Sequence, residues 1–263
     1  MTTIAAHELT LGYQRRTILD ALSLTLPEGR ISVLVGSNGC GKSTLLKALA
    51  RLLLPWQGNV ILDGRDIQRQ PTRAVARLLS LLPQQPMAPE GITVRQLVTL
   101  GRHPHQSWLA QWSEQDERKV EQALTRTELS EFAERRVETL SGGQRQRAWI
   151  AMAVAQDTPL MLLDEPTSFL DLAHQMEVLE LLASLNRESG KTIVMVLHDL
   201  NLACRYADHI VALRDGRIHA QGTPHEVITR QRVKEIFQLD CQVIDDPYFH
   251  TPLCIPFARR EGR

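Results

Sequence analysis

The stretch GSNGCGKST at residues 36–44 restricts the fold of this chain more than any other feature. It follows the apolar run ISVLV and precedes TLLKALARLLL, which has helical spacing. A G-x-x-x-x-G-K-[ST] pattern between a strand and a helix forms a loop whose backbone N–H groups surround a phosphate chain. We expect Lys42 to reach the outer phosphates, Ser43 to ligate magnesium, and the helix to direct its N-terminus at them. The residues predicted to contact the phosphates are Gly36, Ser37, Asn38, Gly39, Cys40, Gly41, Lys42, Ser43 and Thr44.

Two further apolar runs are followed by residues whose side chains can bind a metal or take part in catalysis. LMLL at residues 160–163 leads into Asp164 and Glu165, and TIVMVL at residues 192–197 leads into His198. Near-continuous apolar runs suit parallel strands covered on both faces, and ligands of such sheets bind at the carboxyl ends of the strands. We therefore expect the three strand ends to converge, with Asp164 holding Mg²⁺, Glu165 orienting and deprotonating the attacking water, and His198 against the γ-phosphate.

The rest of the chain predicts an α/β fold with three parts. Period-two alternation near the start predicts antiparallel strands, and Asp-Gly pairs at residues 63–64 and 215–216 predict hairpin turns. Residues rich in Arg, Gln and Glu predict a helical insertion at about 71–158. From about residue 224 to 263 we expect a short C-terminal extension, with a helix in VITRQRVKEIFQL and a frayed ARREGR end. The whole chain, residues 1–263, is predicted to be a single domain with a parallel-sheet core.

The composition excludes several classes of protein. Thirty basic residues balance thirty acidic ones, so no net field attracts nucleic acid or an anionic membrane. Four scattered cysteines without a C-x-x-C pair indicate a reducing compartment and buried or inert thiols. Neither a signal peptide nor an apolar run of about 20 residues occurs, so we expect a soluble or peripheral protein.

The segment LSGGQ at residues 140–144 opens a predicted helix with two glycines. Glycine weakens a helix, so its presence needs a reason. We expect Ser141 to cap the helix, while Gly142 and Gly143 leave its first N–H groups open to an anion. The chain thus has a second helix N-terminus suited to phosphate.

In their order along the chain, these motifs resemble those of ATP-binding cassette transporter subunits. The phosphate loop, LSGGQ, LLDEP, SFLD at residues 168–171 and the strand ending in His198 carry the resemblance, which covers residues 4–223. The resemblance implies that Tyr13 stacks on adenine, that Gln84 senses the γ-phosphate and Mg²⁺, and that Asp171 faces a dimer partner. Counting from the preceding Leu-Leu pair selects Gln84 over Gln85.

The resemblance also implies an ATPase of the P-loop NTPase type, with ATP and Mg²⁺ as cofactors. Two copies would sandwich two ATP molecules, each held by one copy's phosphate loop and by Ser141, Gly142, Gly143 and Gln144 of the other. The helical insertion would receive a membrane-spanning permease, and a periplasmic substrate-binding protein would take part indirectly. The protein would lie at the cytoplasmic face of the bacterial inner membrane and would bind no nucleic acid.

A narrower similarity concerns the transported substrate. GITVRQLVTLGRHPHQ and VLHDLNLACRYADHIVAL, among other stretches, are similar to ATPase subunits of iron-siderophore importers of the ferric enterobactin and ferric citrate type. Vitamin B12, haem and other metal chelates remain alternative substrates. Ser37 and Phe169 depart from the Pro and Ala of many relatives, without affecting the expected ATP binding.

Other interpretations of the motifs are weaker. A chromosome- or repair-type ATPase needs a long coiled coil between phosphate loop and signature, and the ~90 residues available are too few. A small-molecule kinase needs no LSGGQ and would keep Glu165 away from water. His103 and His105, which flank a proline, lack the i, i+4 spacing of a helical metal site, and a surface loop is the preferred interpretation.

Overall fold

A computed structural model describes residues 2–106 and 112–257 of the chain. The chain divides into two compact units. The first unit comprises Met1–Gln68 and Thr192–Arg263, and the second comprises Arg69–Lys191. The ARREGR end, predicted to be frayed, lies outside the described residues. Within the described ranges, no helix is long and apolar enough to cross a membrane.

The strands and helices are numbered in chain order. The strands are β1 Ile4–Tyr13, β2 Arg16–Leu26, β3 Ile31–Gly36, β4 Gln57–Leu62, β5 Arg65–Asp66, β6 Leu79–Leu82, β7 Leu160–Leu163, β8 Thr192–Val196, β9 His209–Arg214, β10 Arg217–Gly222, β11 Cys241–Asp245 and β12 Pro252–Pro256. The helices are α1 Lys42–Leu49, α2 Thr72–Leu78, α3 Val94–Leu100, α4 Glu114–Arg126, α5 Gly142–Ala155, α6 Leu172–Ser189, α7 Leu200–Tyr206, α8 Pro224–Val227 and α9 Arg230–Phe237.

The first unit contains an antiparallel sheet and a group of parallel strands. The antiparallel sheet has the order β2-β1-β4-β5, and at the end of β2 Leu22, Leu24 and Leu26 are buried between exposed residues. Strand β3 pairs in parallel with β8 on one side and β9 on the other, and β9 pairs antiparallel with β10. Every residue of β3 and β8 is buried, as their continuous apolar runs predict. Both predicted Asp-Gly hairpins are confirmed, because β4 turns into β5 and β9 into β10 at these pairs.

Among its described residues, the second unit contains helices α2 to α6 and one parallel strand pair. Strand β6 lies beside β7, with Leu79 aligned to Leu160 and Leu82 to Leu163. The sequence predicts a helical insertion with few strand signals at about residues 71–158, and β6 is a strand within that range that no sequence signal indicates. Its four residues are too few to display a period, and its pairing with β7 makes it a strand.

A short 3₁₀ helix, His103–His105, replaces the predicted surface loop. Arg73 and Arg77 donate hydrogen bonds to the Pro104 carbonyl over 2.8 and 2.9 Å. The His105 Nε2 atom lies 2.8 Å from the Gln156 carbonyl oxygen. The segment is therefore fixed by side-chain contacts, which the local sequence pattern does not reveal.

The end of the first unit holds a predicted helix and an unexpected hairpin. Helix α9 confirms the helix expected in VITRQRVKEIFQL. Strands β11 and β12 pair antiparallel, and Cys241, Pro252 and Cys254 are buried. All four cysteines of the chain are free and buried, which confirms the expected burial of the thiols. Burial raises the pKa of the Cys204 and Cys254 thiols to about 12, so both stay protonated near neutral pH.

Candidate nucleotide and hydrolysis site

The glycine-rich loop of the first unit closes around the amino group of Lys42. Only 5% of Lys42 is exposed, and its Nζ donates hydrogen bonds to the carbonyl oxygens of Gly36 and Ser37 over 2.9 and 3.0 Å. Gly41 has a φ of 106°, and a Cβ there would lie 2.4 Å from Leu19 Cδ2. The turn before α1 therefore requires a glycine at position 41. The loop also places the amino group of Lys42 against two carbonyl oxygens, and phosphate oxygens can take the place of these carbonyls.

Two other predicted site residues belong to the same unit. Tyr13 ends β1 and is 46% exposed, so its ring is accessible for stacking. His198 is exposed and lies between β8 and helix α7. The next residue, Asp199, caps α7 by accepting hydrogen bonds from the backbone N–H groups of Asn201 and Leu202 over 2.7 and 3.0 Å.

In the second unit, two side chains hold the carboxylate of Glu165. The Gln84 amide and the Ser168 hydroxyl each donate a hydrogen bond to Glu165 Oε2, both over 2.8 Å. Glu165 has a φ of 52°, an uncommon conformation for a non-glycine residue that occurs most often at turns and functional sites. Its neighbour Asp164 is 3% exposed and donates its backbone N–H to the Leu82 carbonyl over 2.9 Å.

Ser168 is the contact that sequence reasoning missed. In the SFLD motif the family resemblance points to Asp171 alone, yet the first residue of the motif, Ser168, lies three positions after Glu165 and donates a hydrogen bond to it. A hydroxyl at this spacing after a carboxylate at a turn was the available signal. Gln84, by contrast, was selected by resemblance, and its contact with Glu165 spans 81 residues of sequence.

The LSGGQ segment begins helix α5 as predicted. Ser141 Oγ accepts from the Gln144 backbone N–H over 3.2 Å, and Gln144 Oε1 accepts from the Ser141 N–H over 3.1 Å. This capping box confirms Ser141 as the cap. A Cβ at Gly143 would lie 2.3 Å from His174 Cδ2, whereas one at Gly142 would have no neighbour closer than 3.9 Å. Close packing therefore requires the second glycine only.

His174, which packs against Gly143, also contacts Asp171. Asp171 caps α6 by accepting from the His174 backbone N–H over 3.0 Å, and its Oδ1 also lies 2.7 Å from His174 Nδ1. These two contacts with His174 lower the pKa of Asp171 below its ordinary value. The exposed carboxylate is thus held as an anion at the start of α6.

The predicted site residues fall into two groups. The first unit carries Tyr13, residues 36–44 and His198. The second unit carries Gln84, Asp164, Glu165, residues 141–144 and Asp171. Within the second unit the structure brings Gln84 to Glu165. The convergence of all three strand ends on one ligand stays a prediction.

A loop of this sequence, closed on a buried lysine between a parallel strand and a helix, defines a P-loop nucleotide-binding protein. The family model for ABC transporter matches residues 19–168. Over 261 residues the chain is 65% identical to the achromobactin transport ATP-binding protein CbrD of Dickeya dadantii (strain 3937), covering 99% of this chain and 97% of that protein. Over 256 residues it is 50% identical to the ferric enterobactin transport ATP-binding protein FepC of Escherichia coli (strain K12), covering 97% and 94%.

Among solved structures, a dimeric post-hydrolysis state of the ATP-binding cassette MJ0796 bound to ADP and Pi is similar, with a TM-score of 0.75 and 30% identity. The similarity covers 84% of this chain and 98% of that one. The chain therefore belongs to the ABC transporter family. Like the ATP-binding subunits of that family, it binds ATP and is an ATPase coupled to transport. The predicted α/β fold class and the resemblance to this family are confirmed.

Proposed function

We propose that this chain is the ATP-hydrolysing motor of a bacterial importer for ferric siderophore complexes. The observation that carries the hydrolytic role is the Glu165 carboxylate, oriented by Gln84 and Ser168 beside the buried Asp164. Support for the cargo comes from the names of the two relatives, achromobactin transport and ferric enterobactin transport.

Lys42 and the loop around it bind the phosphates of ATP in this proposal, with Tyr13 against the adenine. Exchange of the two carbonyl partners of Lys42 for phosphate oxygens retains the hydrogen bonds of its amino group and adds a charge interaction. His198 supplies a further polar contact to the γ-phosphate. Replacement of Lys42 is therefore expected to weaken nucleotide binding itself.

Glu165 acts as the general base. It accepts a proton from a water whose oxygen attacks the γ-phosphorus, while the bond from that phosphorus to the bridging oxygen of ADP breaks. Hydrogen bonds from Gln84 and Ser168 to one carboxylate oxygen restrict the rotation of the group and direct it at the water.

Mg²⁺ is the metal that these residues suit. Ser43 offers a hydroxyl oxygen, Gln84 an amide oxygen, and Asp164 a buried carboxylate, which are the hard oxygen ligands this ion prefers. When bound, the ion would neutralise charge on the transferred phosphoryl group.

The working form is proposed to be a homodimer on membrane-spanning permease subunits. Residues 141–144 of one copy would contact the ATP held by residues 36–44 of the other, and Asp171 would face the partner copy. The solved MJ0796 cassette, similar to this chain, is a dimer with ADP and Pi. The chain would lie peripherally at the cytoplasmic face of the inner membrane, and a periplasmic binding protein would deliver the cargo.

Replacement of Glu165 by Gln tests the hydrolytic role. Because glutamine cannot accept the proton, we expect steady ATP turnover to fall by roughly 10²-fold or more while ATP binding remains. Size-exclusion chromatography with ATP and Mg²⁺ is expected to show an ATP-dependent dimer of the variant. Glu177→Gln, at a surface ion pair with Arg147, is the matched control. Turnover unchanged in Glu165→Gln would remove Glu165 as the base.

Uptake in cells tests the proposed cargo. A strain lacking this chain is expected to lose uptake of radiolabelled ferric siderophore and to regain it with the wild-type chain but not with Glu165→Gln. Uptake of labelled cobalamin and haem is measured in parallel. Loss of cobalamin or haem uptake, with ferric siderophore uptake intact, would contradict the proposed cargo and leave the ATPase role standing.

A further inference from the structure

The hairpin formed by β11 and β12 lies beyond residues 4–223, over which the family motifs extend. Terminal segments are usually poorly ordered unless contacts hold them in place. Here two side chains of helix α7 contact the hairpin, and both belong to the first unit. The helix they come from begins two residues after His198.

The first contact joins the Asn201 side chain to the backbone of Cys254. Asn201 Oδ1 accepts from the Cys254 N–H over 2.7 Å, and Asn201 Nδ2 donates to the Cys254 carbonyl over 3.2 Å. Both groups lie on the edge of β12 that does not face β11, where backbone donors and acceptors lack a strand partner. One amide side chain therefore satisfies both backbone polar groups of Cys254.

The second contact joins Arg205 to Phe249, in the turn between the two strands. The guanidinium carbon of Arg205 lies 3.2 Å from the centre of the Phe249 ring, which is a close cation–π contact. Asn201 and Arg205 are four residues apart, so they lie on one face of the helix. The hairpin thus holds α7 at two points one turn apart.

Helix α7 has only seven residues and depends on such contacts. A helix this short is unstable without tertiary packing. The Asp199 side chain, which caps α7, accepts a hydrogen bond from the Asn201 backbone N–H. Asn201 therefore contacts the hairpin through its side chain and the cap through its backbone, and the cap residue directly follows His198. Because α7 begins two residues after His198, the position of the helix constrains the backbone that carries His198.

We propose that the β11–β12 hairpin clamps helix α7 and so positions His198 for ATP hydrolysis, with Asn201 and Phe249 as positioning residues. This inference rests on the proposed function. It assigns the C-terminal extension a role in the catalytic step, with no direct contact to ATP.

The test measures kcat and KM for ATP with the purified full-length chain. Phe249→Ala removes the ring, and Tyr248→Ala is its matched control on the neighbouring, 85% exposed aromatic residue. We expect Phe249→Ala and Asn201→Ala each to lower kcat by roughly tenfold, with KM for ATP unchanged within about twofold. Phe249→Tyr, which keeps the ring, and Tyr248→Ala are expected to keep wild-type kcat.

A second measurement separates positioning from general destabilisation. Asn201→Ala and Phe249→Ala, called the clamp variants, are each combined with His198→Ala, and the residual ATP turnover is measured. If the clamp acts through His198, Asn201→Ala and Phe249→Ala cause no further loss in that background. The proposal would be overturned if each substitution lowered turnover in the His198→Ala background by the same factor as in the wild-type chain. It would also be overturned if kcat were unchanged in the single variants. If Asn201→Ala fails to fold, the Phe249→Ala and Phe249→Tyr pair decides.

Failure of the proposed function has a different signature. Turnover of the wild-type chain that is insensitive to Glu165→Gln would remove the hydrolytic mechanism itself. Turnover sensitive to Glu165→Gln but insensitive to both clamp variants would remove only the inference about the hairpin.

Discussion

At the scale of single residues, the two glycines after Ser141 have different surroundings. Gly142 is exposed, whereas Gly143 is buried against the imidazole of His174. The imidazole cannot move away freely, because its Nδ1 lies 2.7 Å from Asp171 Oδ1. Glycine therefore leaves the backbone exposed at position 142 and allows close packing against His174 at position 143.

Alanine substitutions at the two positions are expected to change stability in opposite directions. Gly142→Ala gains helix propensity and raises the free energy of unfolding by up to about 1 kcal/mol. Gly143→Ala forces its methyl group into His174 and lowers that free energy by about 1–2 kcal/mol. Urea unfolding of both variants measures the difference. Equal stability of the two would contradict the packing role of Gly143.

A second residue-scale feature is the buried ion pair between Arg102 and Asp116. The two residues are 3% and 5% exposed, and Arg102 Nε lies 2.9 Å from Asp116 Oδ1. Burial alone would raise the pKa of Asp116, but hydrogen bonds from Ser113 and Arg102 outweigh it and lower the pKa below its ordinary value. The ionised carboxylate thus contributes stability above the unfolded-state pKa of about 3.9, and this contribution is lost as the pH falls through the lower folded-state value.

Asp116→Asn is expected to lower the free energy of unfolding by about 3 kcal/mol at pH 7, because it leaves the Arg102 charge buried without a counter-ion. The gap between variant and wild type begins to narrow as the pH falls below the unfolded-state pKa, and it narrows further until the pH passes the lowered folded-state pKa, where the folded wild-type carboxylate is protonated too. Urea unfolding at pH 7 and in acid measures both effects. Asp20→Asn, at the exposed pair with Arg217, is the control and should cost under about 1 kcal/mol.

At the scale of elements, helix α5 combines a cap and a proposed phosphate contact at Ser141. The Ser141 hydroxyl accepts from the Gln144 N–H, and the same helix end is proposed to meet the ATP of a second copy. Stability and dimer formation therefore depend on different properties of one side chain.

Two substitutions are expected to separate these properties. Ser141→Asp keeps an acceptor for the cap, so stability stays within a few tenths of a kcal/mol, but its charge repels phosphate and abolishes ATP-dependent dimerisation. Ser141→Ala loses about 1 kcal/mol of stability but adds no charge, so we expect it to weaken the dimer less than Ser141→Asp does. Thermal unfolding and size-exclusion chromatography with ATP measure the two properties. Dimerisation of Ser141→Asp with undiminished ATP affinity would contradict the contact in trans.

Elements differ in how far the sequence predicts them. Strand β7 occurs at the residues of the LMLL run, and the Asp-Gly turns lie where expected, because both signals are local. Strand β6 and the β11–β12 hairpin were missed. β6 has only four residues, and β12 begins and ends with proline, a residue that is unusual within strands. Pairing with a partner strand defines both β6 and the hairpin, and the hairpin strands also carry buried cysteines. Neither the pairing nor the burial is a local signal in the sequence.

At the scale of the whole molecule, the predicted site residues are shared between two compact units, and the proposed dimer shares them between two copies. Complementation tests this arrangement. Lys42→Ala chains lack a working phosphate loop, and Ser141→Asp chains lack a working signature. A mixed dimer has one site with both parts intact.

Mixing the two inactive chains in equal amounts is therefore expected to restore about a quarter of wild-type turnover, if subunits pair at random and the sites act independently. Steady-state ATPase assays before and after mixing measure the recovery. Each chain mixed with wild type is the control for subunit exchange. If exchange occurs and turnover is not restored, each copy completes its site without the other.

The amino-acid sequence by itself determined the phosphate loop, the cap at Ser141, the hairpin turns and the buried strands, since each depends on residues a few positions apart. Tertiary structure decided the contacts made over long separations. Gln84 reaches Glu165 across 81 residues, and Asn201 reaches Cys254 across 53. Gly143 is needed because His174 packs on it. Such contacts depend on how elements pack, and no local pattern encodes which distant side chain will occupy the adjoining space.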